Sequence, residues 1–124
     1  MVVLDTTILI DVLRGSDPAA RWLRGLEEVP ACSEVTRVEV LRGVRSAERD
    51  PTERLLSALR WIPVDEPIGR RAGGLGREHR GSHPGLGVAD LLIAATALVL
   101  DADLATSNVR HFPMIPGLRP PYRD

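Results

Sequence analysis

The chain contains no lysine and no glutamine, and all 16 of its basic residues are arginine. A phosphate-binding P-loop needs its lysine, so that motif is excluded. Schiff-base catalysis by a lysine amine is excluded for the same reason. Cys32 is the only cysteine, which rules out an internal disulfide. Read alone, it suits a buried strand better than a nucleophile's post. Aromatic residues make up 3% of the chain, too few for a base-stacking platform. No apolar run approaches the roughly 20 residues of a membrane helix, so no membrane association is expected. Nor does the start read as a secretory leader: Asp5 cuts short the run Val2-Val3-Leu4, and no basic region precedes it. A cytoplasmic location is the expectation. The net charge of −1 gives no global attraction for nucleic acid, so any such binding falls to a local arginine patch.

What is present is ordinary for one globular domain. The chain has 124 residues, 44% hydrophobic and 27% charged, enough for a single core. No repeat, linker or low-complexity segment divides it. Val2–Asp5 reads as a short buried strand. Thr6–Leu13 carries Ile8, Leu9, Val12 and Leu13 at helical spacing and stops at Gly15. Asp17-Pro18 reads as an N-cap with proline at the first helical position, opening a helix to about Glu28 with Trp22, Leu23 and Leu26 inward. Pro30–Ser33 is an expected strand. A helix follows over Glu34–Ser46, with Val35, Val38, Leu41 and Val44 on one stripe. Another starts at Asp50-Pro51 and runs to about Leu59. Trp61–Val64 reads as a strand. Pro67–Arg80 is a weaker helix, because Gly69, Gly73, Gly74 and Gly76 each lower its propensity. After a loop at Gly81–Gly87, Val88–Leu100 is the strongest helix of the chain. Leu104–Thr106 and Met114-Ile115 close the list of strands. Strands alternating with helices imply an α/β fold with a mostly parallel central sheet flanked by helices. In such sheets ligands gather beyond the carboxyl ends of the strands, where Asp5 and Asn108 fall.

Four polar positions stand at the ends of, or within, apolar segments: Asp5, Glu39, Asp90 and Asn108. Each has a plain alternative. Asp5 can be a metal ligand at a strand tip or the N-cap of the next helix. Glu39 can be a ligand or a solvated helix-edge residue paired with Arg42. Asp90 can be a ligand or a complement to a helix dipole. Asn108, like Thr106 before it, can serve the site or a turn. Brought together by the fold, the carboxylates would repel one another unless a cation joined them. Hard oxygen ligands select Mg²⁺ or Mn²⁺, ions suited to phosphodiester hydrolysis. Outside these positions, Asp11 is a candidate outer ligand, and Asp101 or Asp103 is a candidate stand-in for the fourth corner, for which a helix end and turn is the simpler reading. His79 and His83 lack a helix to hold them as a zinc pair. His111 is a candidate contact to RNA. Arg37, Arg42, Arg45 and Arg110 are either phosphate holders or a solvated face.

The phrasing around these positions is more telling than any one of them. Val2-Val3-Leu4-Asp5-Thr6-Thr7, Thr36-Arg37-Val38-Glu39-Val40-Leu41-Arg42-Gly43, Ala89-Asp90-Leu91-Leu92-Ile93-Ala94-Ala95-Thr96-Ala97 and Ala105-Thr106-Ser107-Asn108-Val109-Arg110-His111-Phe112 follow in a fixed order. Together they resemble the PIN-domain nucleases, and more narrowly the toxin subunits of VapBC toxin–antitoxin pairs. The resemblance spans nearly the whole chain. It implies a PIN-like three-layer domain and a Mg²⁺- or Mn²⁺-dependent endoribonuclease, neutralised by a cognate antitoxin and forming a homodimer. Asp5, Glu39 and Asp90 match the family's metal-holding acids. Asn108 stands at a position where the family often has Asp. Asn108 and the hydroxyl of Thr6 or Thr106 are then expected to fix the attacking water. Two other readings stay open on the same fold: a housekeeping RNA-processing nuclease without an antitoxin, and a catalytically weakened RNA-binding domain. A haloacid-dehalogenase-like phosphatase is disfavoured, since it wants a second Asp at position 7, where Thr stands, and a lysine.

Overall fold

The computed structural model describes residues 1–123. Strand β1 (Val2–Leu4) leads into helices α1 (Thr6–Leu13) and α2 (Asp17–Arg24). Strand β2 (Ala31–Ser33) follows, then α3 (Glu34–Arg42), a 3-10 turn at Ser46–Glu48, and α4 (Arg49–Ser57). Strand β3 (Arg60–Ile62) precedes the long antiparallel-packed pair α5 (Glu66–His79) and α6 (Val88–Val99). Strand β4 (Asp103–Ala105) and a 3-10 turn at Val109–His111 complete the described elements.

Local chemistry sets most helix starts. Asp5, Ser16, Ser33 and Asp65 each cap a helix through a side-chain oxygen that accepts a backbone N–H. The α2 cap is Ser16, which accepts from Ala19 N–H; Asp17 and Pro18 lie one step further inside than the sequence pattern suggests. That helix ends at Arg24, because Gly25 caps it. Gly43 likewise stops α3 well short of Ser46. The stripe expected on α3 also differs. Thr36 and Val40, four apart, are the buried pair, and Val38 on the opposite side is 62% exposed. Of the α5 glycines, Gly76 has a packing reason: a Cβ there would meet Leu91 Cδ1 at 3.1 Å, so glycine lets α5 lie against α6.

The sheet has four strands, all parallel, in the order β3-β2-β1-β4. Its side chains alternate between two faces. Val3, Ala31 and Leu104 pack against Ile68, Ala72 and Leu75 of α5 and Ile93 and Ala94 of α6. Leu4, Cys32 and Ala105 pack against Ile8 and Leu9 of α1, Val40 of α3 and Leu56 of α4. Helices therefore cover both faces, giving three layers. Met114-Ile115 forms no strand. Pro113 and Pro116 flank it, Ile115 N–H bonds to Phe112 C=O in a turn, and Met114 plugs the core by its side chain alone. Cys32 is fully buried, and burial pushes its thiol pKa up to about 12. Among the described residues, no helix is long and apolar enough to cross a membrane.

The chain runs outward from β1 to β2 to β3, then returns to place β4 on the other side of β1. Where the winding direction reverses, the connections leave in opposite directions and a crevice opens at the strands' carboxyl ends. That crevice lies between the end of β1, at Asp5, and the end of β4, at Thr106.

Candidate active site

A cleft of about 660 Å³ sits at this switch point. It is lined by Asp5 and Thr6 from the end of β1, Glu39 from α3, Asp90 from the first turn of α6, and Ser107, Asn108 and His111 after β4. Positions spread over the sequence thus meet in one place.

Asp5 is 3% exposed and anchors the network. Its Oδ1 accepts the Thr6 N–H at 2.8 Å, which is the helix cap. Its Oδ2 accepts the hydroxyls of Thr7 at 2.8 Å and Thr106 at 2.7 Å. Asp5 caps α1 and also lines the cleft. Three donors on one carboxylate fix its orientation. The Asp5 N–H also bonds to Ala105 C=O at 2.8 Å, which continues the β1–β4 pairing to the site.

Glu39 is held by a hydroxyl, not by Arg42. Thr6 Oγ1 donates to Glu39 Oε1 at 2.6 Å. A hydroxyl has one proton. The 2.9 Å contact between Thr6 and the buried Thr36 therefore has Thr36 as donor. Thr106 stands behind the cleft and not in it. It is fully buried, its hydroxyl is given to Asp5, and its Oγ1 accepts the Asn108 N–H at 3.0 Å. The expectation that its hydroxyl holds an attacking water is thereby corrected: it positions Asp5 and the 106–108 turn. Thr6 does reach the cleft, with its proton directed at Glu39. The Asn108 amide caps no helix and lines the cleft.

Asp90 carries the electrostatic strain. Burial raises its carboxyl above the ordinary carboxylate value; His111 pulls it back, and the charges of Asp5 and Glu39 push it further up. His111 Nδ1 lies 3.1 Å from Asp90 Oδ2, a contact that sequence reasoning did not foresee. Asp11 also lines the cleft, whereas Asp101 sits in a left-handed turn (φ 51°) and Asp103 begins β4, both away from it. Of the arginines singled out earlier, none lines the cleft. Arg37 is engaged by Glu34 at 2.6 and 3.1 Å and lies 4.1 Å over the Trp61 ring. Arg14 is the arginine that reaches the cleft, and nothing in its sequence context had marked it.

Among the described residues, no three His, Cys, Asp or Glu side chains close tightly enough to enclose a metal ion. The donor set is instead open: Asp5, Glu39 and Asp90 line one cleft from three different elements, with Asp5 and Glu39 both opposing the ionisation of Asp90. Such a set fits Mg²⁺, which keeps several waters and takes only one or two carboxylates directly. A cation would also offset the repulsion from Asp5 and Glu39 that adds to the effect of burial on Asp90.

Comparison with known proteins identifies relatives of the chain and of its fold. The PIN domain family matches residues 2–117. The chain is 52% identical to Ribonuclease VapC19 of Mycobacterium tuberculosis over 126 residues, covering 98% of this chain and 100% of that protein. It is 46% identical to Ribonuclease VapC10 of the same organism, covering 98% and 93%. Its fold superposes on a toxin–antitoxin complex from Klebsiella pneumoniae with a TM-score of 0.85, at 30% identity and full coverage of both chains. It also matches VapBC2 from Rickettsia felis, solved bound to a DNA fragment from its promoter, with a TM-score of 0.82 at 26% identity, covering 95% and 96%.

Proposed function

The chain belongs to the PIN-domain family, and we propose from this that its cleft is the active centre of a toxin endoribonuclease that uses Mg²⁺ or Mn²⁺. Its relatives are named as ribonucleases, and the solved structures it resembles are toxin–antitoxin complexes. The chain is a ribonuclease of that kind, paired with a cognate antitoxin. The metal is our reading, carried by one observation: Asp5, Glu39 and Asp90 share a cleft in which two of the charges oppose the third. These three residues would hold the ion. When bound, it would supply Lewis-acid stabilisation of the phosphate charge and a water acidic enough to attack at neutral pH.

The chain's own residues do the rest. Asp5, locked by three donors, presents its carboxylate at a fixed place at the end of β1. Thr6 keeps Glu39 turned into the cleft. Asn108 presents a neutral amide that orients the attacking water without adding charge. His111 steadies Asp90 from the other side. The reaction is hydrolysis of an RNA phosphodiester bond. A cytoplasmic location accords with that substrate. The same reading includes a homodimer; exposed Val38, Val88 and Val99 are apolar surface that self-association would cover.

The test is an RNA digest of chain co-expressed with the protein encoded beside it, then freed from that partner. Cleavage should appear with Mg²⁺ or Mn²⁺ and stop with EDTA. Asp5→Ala or Asp90→Ala should lose on the order of several kcal/mol of transition-state stabilisation. Undiminished cleavage by either variant, free of contaminating nuclease, defeats the mechanism. A chain that copurifies with nothing from its operon and is monomeric by light scattering defeats the partner and dimer readings.

A further inference from the structure

The cleft is rich in negative charge. Asp5, Asp11, Glu39 and Asp90 all line it. An RNA phosphate approaching it meets repulsion, so a cation belonging to the protein is needed at the rim. Arg14 is the arginine lining the cleft among the described residues. It is the C-cap of α1, its side chain is exposed, and it makes no ion pair with any described residue.

That freedom needs explaining. Asp11 lies three residues before Arg14 on the same helix, the spacing at which acid and base normally pair. Here the pair does not form. Asp11 Oδ2 instead accepts the hydroxyl of Tyr122 at 2.6 Å, the short length of a bond to a charged acceptor. The Tyr122 ring leans on Trp22, with centroids 6.1 Å apart, and packs against the core layer beneath α1. The C-terminal segment thus engages one oxygen of the acid that stands at pairing distance along the chain from Arg14. Arg14 also lines a second cavity of about 290 Å³, which shares Ile10 and Glu39 with the cleft. It stands on the divide between the two.

From this we infer that Arg14 binds the RNA phosphate next to the scissile one, and that Tyr122 keeps Arg14 available by holding the Asp11 carboxylate. Arg14 is a substrate-binding residue; Tyr122 is a positioning residue that acts through Asp11. The inference rests on the ribonuclease reading, and its test separates the two.

The probe is a fluorescein-labelled single-stranded RNA of mixed sequence. Its binding is followed by anisotropy in Mg²⁺, with every variant built on the Asp90→Asn chain. Arg14→Ala should weaken binding about tenfold at about 0.1 M salt and flatten the slope of log K against log salt by about 0.7. Arg14→Lys should retain the slope. Tyr122→Phe, which keeps the ring, should weaken binding several-fold. Adding Asp11→Ala to Tyr122→Phe should restore it, and adding Tyr122→Phe to Arg14→Ala should change nothing further. In the chain with Asp90 intact, Arg14→Ala should raise KM and leave kcat in place. Unchanged affinity and slope in Arg14→Ala overturn the inference. So does a Tyr122→Phe effect that survives removal of Asp11 or of Arg14, since that would be a packing effect only. If the unaltered chain cleaves no RNA, the ribonuclease reading fails, and the binding series still decides on Arg14.

Discussion

Replacing Thr106 by valine swaps a hydroxyl for a methyl at a fully buried position, so it opens no cavity and tests the polar contacts alone. Two are lost. The hydroxyl donates to Asp5 Oδ2 at 2.7 Å, a hydrogen bond to a charged group, about 1.5–3 kcal/mol. Its oxygen also accepts the Asn108 N–H at 3.0 Å, which would be left without that partner at a further cost of about 1 kcal/mol. Asp5 keeps its donors from Thr6 and Thr7, which sets the total towards the lower end, about 2.5 kcal/mol. That is a large share of the roughly 5–15 kcal/mol stability of a domain. Urea denaturation of metal-free protein reads it directly. Thr106→Ser keeps the hydroxyl and should lose only about 1 kcal/mol for the missing methyl. In an Asp5→Ala background, Thr106→Val should cost less than about 1 kcal/mol, because its charged acceptor is already gone. Equal losses in both backgrounds, or a loss under about 0.5 kcal/mol in the parent, would refute the claim that Thr106 anchors Asp5.

The Asp90 carboxyl is raised in the folded chain, so the folded state holds its proton more tightly than the unfolded one, and stability falls as pH rises above the ordinary value of 3.8. Metal-free Asp90→Asn should therefore melt above the parent at neutral pH, with the gap closing in acid. Mn²⁺ at 100-fold excess over Kd should stabilise the parent by about 2.7 kcal/mol and do nothing for Asp90→Asn; an equal rise in both places the metal elsewhere. Cys32, with its thiol pushed up to about 12, should resist iodoacetamide until the chain unfolds, and stability should drop as pH rises past 9.0, where the unfolded thiol ionises first; rapid alkylation of folded protein, seen by mass spectrometry, contradicts this. Asn108→Asp should tighten Mn²⁺ binding measured by calorimetry, and Asn108→Ala should impair cleavage less than Asp5→Ala. If neither holds, Asn108 is a turn residue alone.

The layered parallel sheet and most helix positions are legible in the sequence because they rest on local signals. Asp5 and Ser33 cap helices that begin at the next residue, and Thr6–Leu13 follows its apolar spacing without deviation. The acidic corners are legible because they recur in a fixed order of phrases. What escapes is whatever depends on a distant neighbour. Val38 reads as core until Thr36, made acceptable indoors by its bond to Thr6, takes the inner face of α3. Met114-Ile115 reads as a strand because apolarity alone does not say whether a backbone finds a partner. Thr106 and Thr6 look interchangeable in sequence, yet one is sealed behind Asp5 and the other opens on the cleft. Arg14 and Tyr122 are separated by nearly the whole chain, and no pattern within either segment announces the other.

The sheet order also has a consequence in time. Strand β1 finds its neighbour β4 only after the residues between them have been made, and the Asp5–Thr106 bond spans 101 residues. At a synthesis rate of about 5–20 residues per second, those residues take roughly 5–20 s to emerge. Until then Asp5 lacks its buried hydroxyl donor, Asp90 has no His111, and the switch-point crevice has one wall. The two walls of the site therefore come together only after β4 and the turn that follows it have been made.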